Sequence, residues 1–358
     1  MISRRHILAA AGIAPATPAL AAQTGRATRD APSPPDLSFL RDTPLADADR
    51  LRRFMRAEGL EAVVVAKPAN VFYLTNHWPQ LDRMGLEGSG IAIFPADPKR
   101  PVTLVMHAFL YYYTHTPESD FKDRLVFTYT QPADPAATGS EEPAAQAART
   151  MRTVDPARIT ALDRHRSEMF ARARPPSADA SWALAKAMAE LRLTGAVVGV
   201  DDPALADALK LRGFTGTARR AEDTIRRARM AKSPAELKLM RLASAANVQA
   251  AMSAARAARE LGTSRRLRAA FYAEAARLGN SGHFMVIAGT SSEALDQPLA
   301  DGTSVSIDCV STCRVLPWGL RSDDLRGRAR GARATGGGSD LGGPGRDPGP
   351  AAPRHALR

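Results

Sequence analysis

Only two cysteines occur in the 358 residues, Cys309 and Cys313. Four positions apart in what reads as one strand, they would lie roughly 13 Å from each other. A disulfide needs Cα atoms within about 7 Å, so both thiols are expected free unless the strand ends between them. Long apolar runs are also missing. The stretch from Ile7 to Ala22 is too short and too broken by proline to span a bilayer, and no other segment is longer and as apolar. No zinc-finger spacing and no RNP-type motif occurs. The formal net charge of +12 therefore does not indicate nucleic acid as a partner, because its arginines are scattered rather than gathered on one motif. No internal repeat is evident.

What is present fits a globular protein of two ordinary domains. Hydrophobic residues make up 44% of the chain, enough to build a core. The N-terminus has the form of an export signal. It opens Ser3-Arg4-Arg5-His6-Ile7-Leu8, continues through an Ala-rich apolar stretch and closes on Ala19-Leu20-Ala21. The adjacent arginines give it a twin-arginine character. Residues 1–22 are thus expected to direct the protein to the periplasm or outside the cell. Residues 23–45, rich in Pro, Ala and Asp, read as a linker.

A helix is expected at Ala46 to Glu58, with Leu51, Phe54 and Met55 at helical spacing and Gly59 as its stop. Strands are expected at Ala62–Val65, Val71–Leu74, Gly90–Phe94, Val102–Met106, Leu125–Thr130, Ile159–Leu162 and Ala196–Val200. A long helix is expected from about Ser177 to Leu193, and a surface loop at Pro132 to Pro143. This alternation indicates an α/β domain. Ser233-Pro234-Ala235-Glu236 is a helix start, with a capping Ser, Pro at the first helical position and Glu three residues after the cap. That helix should run to about Leu261, with Gly262 ending it. A second should run from Thr263-Ser264 to about Leu278. Phe284–Ala288 and Val305–Asp308 read as strands.

Several of these segments resemble a known family. Leu51 to Val65, followed by Asn70 to Thr75, looks like the opening of a creatinase-type N-terminal domain. Arg229 to Leu237 looks like the junction into a catalytic domain, and Asp301 to Asp308 like the turn and strand carrying a metal-binding Asp. In this order, from about Ala46 to Arg314, the chain resembles the Xaa-Pro aminopeptidase, prolidase and creatinase family. The resemblance implies a creatinase-like α/β domain over residues 46–225. It also implies an incomplete pita-bread α+β domain over residues 226–314. It further implies a homodimer, a peptide or small amide substrate, and two divalent metal ions (Mn, Co or Zn). Those ions would share two Asp, one His and two Glu. Hard oxygen ligands suit such ions, and a paired site activates water for attack on a C–N bond. Asp308 matches the first Asp. The second belongs eleven residues later, where Gly319 stands.

From Val315 onward the composition changes. Residues 315–358 hold ten of the 26 glycines, eight arginines and no lysine. One reading is a disordered basic tail; the other is a shifted reading frame. Pro317 to Arg326 can be encoded as CCA TGG GGA CTT CGC TCG GAC GAT CTT CGT. Omitting one base turns the string into His-Gly-Asp-Phe-Ala-Arg-Thr-Ile-Phe-Val. That restores an Asp at the required position and a strand-like sequence after it. Third codon positions are free choices, but the single Trp codon forces the recovered Gly. On either reading the chain as given lacks most of the metal ligands and is expected to bind no metal pair, to be inactive and to expose apolar sheet edges.

His283 is a candidate catalytic residue in contact with substrate, against the plainer reading of a hydrogen-bonded structural histidine. The loop Ser291 to Pro298 has no histidine, where family peptidases tend to carry one for substrate. This departure keeps a family relative with other chemistry, a creatinase-like hydrolase or a lyase, open as an alternative, with Asp296 a candidate in that chemistry; a separate alternative is a non-catalytic domain that acts only in dimerisation or binding. Phe109 to Tyr113 reads as interface packing. His77-Trp78 lies on a loop that can reach a neighbouring subunit in this family. Arg219-Arg220 and Arg226-Arg227 read as a solvated helix face.

Overall fold

The structure is a computed structural model and describes residues 35–78, 90–115, 124–131, 139, 141–145, 158–300, 302 and 305–313. The export signal expected at 1–22 and the tail at 315–358 lie outside these residues. Within the stretch read as linker, a short helix α1 (Phe39–Asp42) forms, and Leu40 and Leu45 are buried. Asn76 secures this segment. Its Oδ1 accepts from Leu45 N at 2.9 Å, and its Nδ2 donates to the carbonyls of Leu40 and Thr43.

Nine strands and eleven helices follow one another in the described chain. The first seven strands form one sheet. They are β1 (Ala62–Val65), β2 (Ile91–Pro95), β3 (Val102–His107), β4 (Arg124–Gln131), β5 (Arg174–Asp179), β6 (Val197–Val200) and β7 (Thr217–Arg220). Their spatial order is β5-β4-β3-β2-β1-β6-β7. β2 is antiparallel to both neighbours and every other pair is parallel. Parallel strands need helical crossovers, which bury both faces of a sheet. Successive side chains accordingly point into two separate cores. Val63, Val65, Phe94, Leu104 and Met106 join the core on one face. Val64, Ile93, Val105 and Phe127 join that on the other.

The first core is closed by α2 (Ala48–Ala57), α3 (Pro68–Thr75) and α8 (Glu222–Met230). The second is closed by α6 (Ala180–Glu190) and α7 (Pro203–Leu211). α4 (Ala108–Thr114) packs beside β4, and α5 (Ala161–Arg172) packs against α4. The long α9 (Pro234–Arg256) then leads into α10 (Ala258–Leu261), α11 (Ser264–Arg277) and a two-stranded antiparallel ribbon of β8 (Ser281–Ile287) and β9 (Ile307–Thr312). Met285, Ile287 and Cys309 face the helices in a third core. The architecture is mixed α/β with a parallel-rich sheet, as the sequence indicated. Among the described residues no helix is long and apolar enough to cross a membrane.

Several local expectations need correction. Val71–Leu74, expected as a strand, is the middle of helix α3, buried throughout. Ile159–Leu162 is no strand; Thr160 caps α5 with a reciprocal Thr160–Asp163 box. The helix expected from Ser177 begins at Ala180, because Ser177 belongs to β5 and Asp179 caps α6 through Ser181 N and Trp182 N. Arg219-Arg220 lies on strand β7, not on a helix. Arg227 on α8 is no merely solvated charge: it pairs with Glu58 and lies over the Phe54 ring. In the run Phe109 to Tyr113, Tyr111 and Tyr112 are buried, while Tyr113 is exposed and stacks on Phe109. Neither cysteine forms a disulfide, and both are buried. Cys309 lies in β9, and Cys313 just beyond it reaches the core of the first sheet.

Candidate active-site face and domain junction

The helical junction forms as its sequence predicts. Ser233 Oγ accepts from Glu236 N at 3.1 Å, and Glu236 accepts from Ser233 N at 2.9 Å. The same hydroxyl donates to Leu45 O at 2.7 Å, so the cap also joins the start of α9 to the first domain. Arg229 donates to Asn70 Oδ1 at 2.9 Å and lies over the Tyr73 ring. Burial pushes the Glu236 carboxyl up, against the nearby Lys232 and Arg229 charges. Burial and the charge of Glu236 push the Tyr73 phenol up to about 12.

Asp201 occupies a second junction, at the C-terminal ends of the adjacent parallel strands β1 and β6. Its carboxylate accepts from Ala66 N at 2.8 Å, Lys67 N at 3.1 Å and Asn70 Nδ2 at 2.8 Å. It thereby satisfies backbone donors at the start of α3, whose own N-cap, Lys67, makes no side-chain cap bond. Desolvation raises the Asp201 carboxyl, and these hydrogen bonds oppose the rise.

The two candidate site residues lie on the ribbon. Asp308 faces Val286 across the strands and is exposed on the side away from the helices. Phe284 and Val310 form the next pair on that open side. Burial, aided by the Asp308 charge next door, pushes the Cys309 thiol up to about 11. His283 is the extra residue of a bulge between Gly282 and Phe284. Its Nε2 lies 2.7 Å from Thr312 Oγ1. Thr312 is four residues along β9 from Asp308, about 13 Å at strand spacing, so the two candidates share the ribbon without meeting. Among the described residues no three His, Cys, Asp or Glu side chains could together hold a metal ion. The residues described thus supply one carboxylate, Asp308, and do not make up a two-metal site.

The remaining candidates are engaged elsewhere. Asp296 accepts from Arg265 N at 3.0 Å, which fixes it to the start of α11. His77 and Trp78 are buried in their own domain, and Trp78 meets Phe72 edge-on. His77 is held well below the usual histidine range by burial, then by Arg124 and His115. The loop that follows lies outside the described residues. Sequence reasoning missed Asp201, Asn247 and Arg268. For Asn247 and Arg268 the available signal was a polar residue on the buried face of an otherwise small-residue or apolar helix.

The family model of the creatinase/prolidase N-terminal domain matches residues 48–169. No curated protein sequence is significantly similar to the chain. Among solved structures, the prolidase from Pyrococcus horikoshii OT3 is 16% identical, with a TM-score of 0.43 over 74% of this chain and 60% of that one. The Xaa-Pro dipeptidase from Bacillus anthracis is 12% identical, with a TM-score of 0.45 over 74% and 62%. The dipeptidase PepE from Mycobacterium ulcerans is 17% identical, with a TM-score of 0.42 over 77% and 61%. The chain thus spans 60 to 62% of the length of these three structures. At such identities and scores the likeness carries no conclusion about reaction or substrate.

Proposed function

Because residues 48–169 belong to the creatinase/prolidase N-terminal domain family, we propose that this chain derives from an Xaa-Pro peptidase-type metallohydrolase. Its described residues supply the scaffold and one metal ligand, Asp308. The observation that carries this reading is the family match followed, in the expected order, by an Asp held on the uncovered face of a helix-backed ribbon. A bound metal pair would supply activated water for cleavage of a C–N bond in a peptide or small amide. The described ligands do not fit such a pair, so no catalytic step is assigned to these residues.

In this reading the ligand set is completed in the shifted frame downstream of codon 314. The test is to resequence the gene across codons 312–322, then to express both the given chain and the frame-restored chain. The restored chain should bind Mn, Co or Zn in stoichiometric amount and hydrolyse Xaa-Pro dipeptides. The given chain should do neither. A confirmed sequence with no downstream His and two Glu in any frame would sink the proposal. A second reading, family chemistry other than peptide hydrolysis, is favoured by the histidine-free loop Ser291 to Pro298. A restored chain that binds metal but leaves every proline dipeptide intact would select it.

Export and dimer formation belong to the same proposal. Replacing Arg4 and Arg5 together by Lys should abolish delivery to the periplasm, and unchanged delivery refutes the twin-arginine route. Sedimentation of the restored chain as a monomer at all concentrations would refute the homodimer.

A further inference from the structure

Large hydrophobic side chains are exposed where α4 meets α5. Tyr113 is 46% exposed, Ile159 38% and Leu162 36%. Tyr113 stacks on Phe109 one turn earlier, with ring centroids 5.7 Å apart. Arg166 of α5 holds the end of α4 by donating to the carbonyls of Tyr113 at 2.8 Å and His115 at 3.1 Å. Leu162 lies one turn before Arg166 on the same side of α5. Ile159 precedes the helix, and Arg164 donates to its carbonyl at 3.1 Å. Aromatic and aliphatic side chains left in water together mark contact surfaces, whereas isolated ones do not.

The outer face of α5 indicates what covers them. Ala161, Arg164, Glu168 and Ala171 are all exposed. They are spaced three, four and three residues apart, so they form one stripe along the helix. The stripe is self-complementary when reversed: a small residue, a cation, an anion, a small residue. A second copy laid antiparallel, about a two-fold axis beside position 166, sets Ala161 opposite Ala171 and Arg164 opposite Glu168. A two-fold interface requires this property, because every contact in it occurs twice. Arg164 uses one of its five N–H donors on Ile159 O, and Glu168 has no partner among the described residues. The same register sets Ile159 over Ala173 of the second copy.

One helix of 12 residues covers too little surface for a stable interface by itself. Ile159, Leu162 and the Phe109–Tyr113 stack add apolar anchors beside it, and aromatic anchors carry much of the energy of protein contacts. We infer that the outer face of α5, with Phe109 and Tyr113 beside it, is the surface through which two copies of this chain pair. The inference rests on the homodimer proposed above and assigns its surface. Both helices lie within residues 108–172, so the pairing uses neither edge of the β8–β9 ribbon and nothing beyond Arg314.

Exposed ion pairs contribute little when removed, but like charges forced together oppose association strongly. The test therefore reverses charges. Sedimentation velocity of the full chain over a concentration series gives the dissociation constant of the dimer. Glu168→Arg and Arg164→Glu each set like charges opposite one another twice, and each should weaken the dimer by about tenfold or more. The double variant, Arg164→Glu with Glu168→Arg, restores opposite charges across the axis and should recover the dimer. Tyr113→Ser, which removes an anchor without changing charge, should weaken it as well. An unchanged dissociation constant in both single reversals overturns the inference and leaves the homodimer to another surface. A double variant that dimerises no better than its parents also overturns it, since the loss would then reflect loosening rather than pairing. An unmodified chain that is monomeric at every concentration overturns both this inference and the homodimer.

Discussion

Asp201 performs from a distance the task that a neighbouring Ser or Asp performs in an ordinary helix. Three hydrogen bonds converge on its buried carboxylate, two from backbone groups at the start of α3 and one from Asn70. Bonds to a charged acceptor contribute more than neutral ones, and orphaned buried donors are costly. Asp201→Ala should lower unfolding free energy by about 3 kcal/mol, measured by urea denaturation; a loss indistinguishable from zero would refute this role. His77 gives the fold a pH dependence. Its folded-state affinity for a proton is depressed by burial first, and then by Arg124 and His115. The unfolded chain therefore takes up the proton first as pH falls. The stabilising contribution is complete above the ordinary histidine value of 6.5 and is lost progressively below it. One such group can impose a slope of up to about 1.4 kcal/mol per pH unit. His77→Phe should flatten this acid limb between about pH 6.5 and 5, and an unaltered slope in parallel urea titrations would refute the assignment. Asp308 could be singled out as a candidate because its turn-and-strand context is local. Asp201 was not, because nothing near position 201 in sequence reveals that its partners lie at 66, 67 and 70.

At the scale of elements, the same distinction separates what the sequence reveals from what it hides. α9 was legible because Ser233, Pro234 and Glu236 write its start within four residues, and the reciprocal cap is present in the structure. Ser233→Ala should cost about 1 to 2 kcal/mol, since it removes the cap and also the bond to Leu45 O. Thermal unfolding measures the loss, and Ser233→Thr, which keeps the hydroxyl, should recover much of it. α3 was illegible for the complementary reason. Asn70 to Thr75 contains the β-branched and aromatic residues typical of strands, and its N-cap position is held by Lys67, without a side-chain cap bond. Burial on every side decides its conformation. β5 misled differently. Pro175 and Pro176 argue against a central strand, but β5 lies at the edge of the sheet, where missing donors are tolerated.

For the whole molecule, the alternation of apolar segments sufficed to indicate an α/β fold, since strands buried on both faces appear as short continuous apolar runs between helical stretches. Strand order was not written there. The family match ends at residue 169, yet the sheet continues through β5, β6 and β7. β6 enters beside β1, more than 130 residues after it. This insertion sets a schedule for synthesis. A nascent chain that has emerged only as far as β5 carries β1 with one flank unpaired, and α3 still lacks the carboxylate that caps it. Ribosome-bound chains released from the exit tunnel only through residue 190 should be cut readily by protease within 62–75. Chains released through residue 225 should resist. Equal sensitivity of the two would show that the first strands close without β6. If the schedule holds, a ribosome pausing between these lengths leaves an adhesive five-stranded sheet with β1 bare at its edge, waiting for β6 and β7, and chaperones that screen emerging polypeptides would meet this protein mainly in that interval.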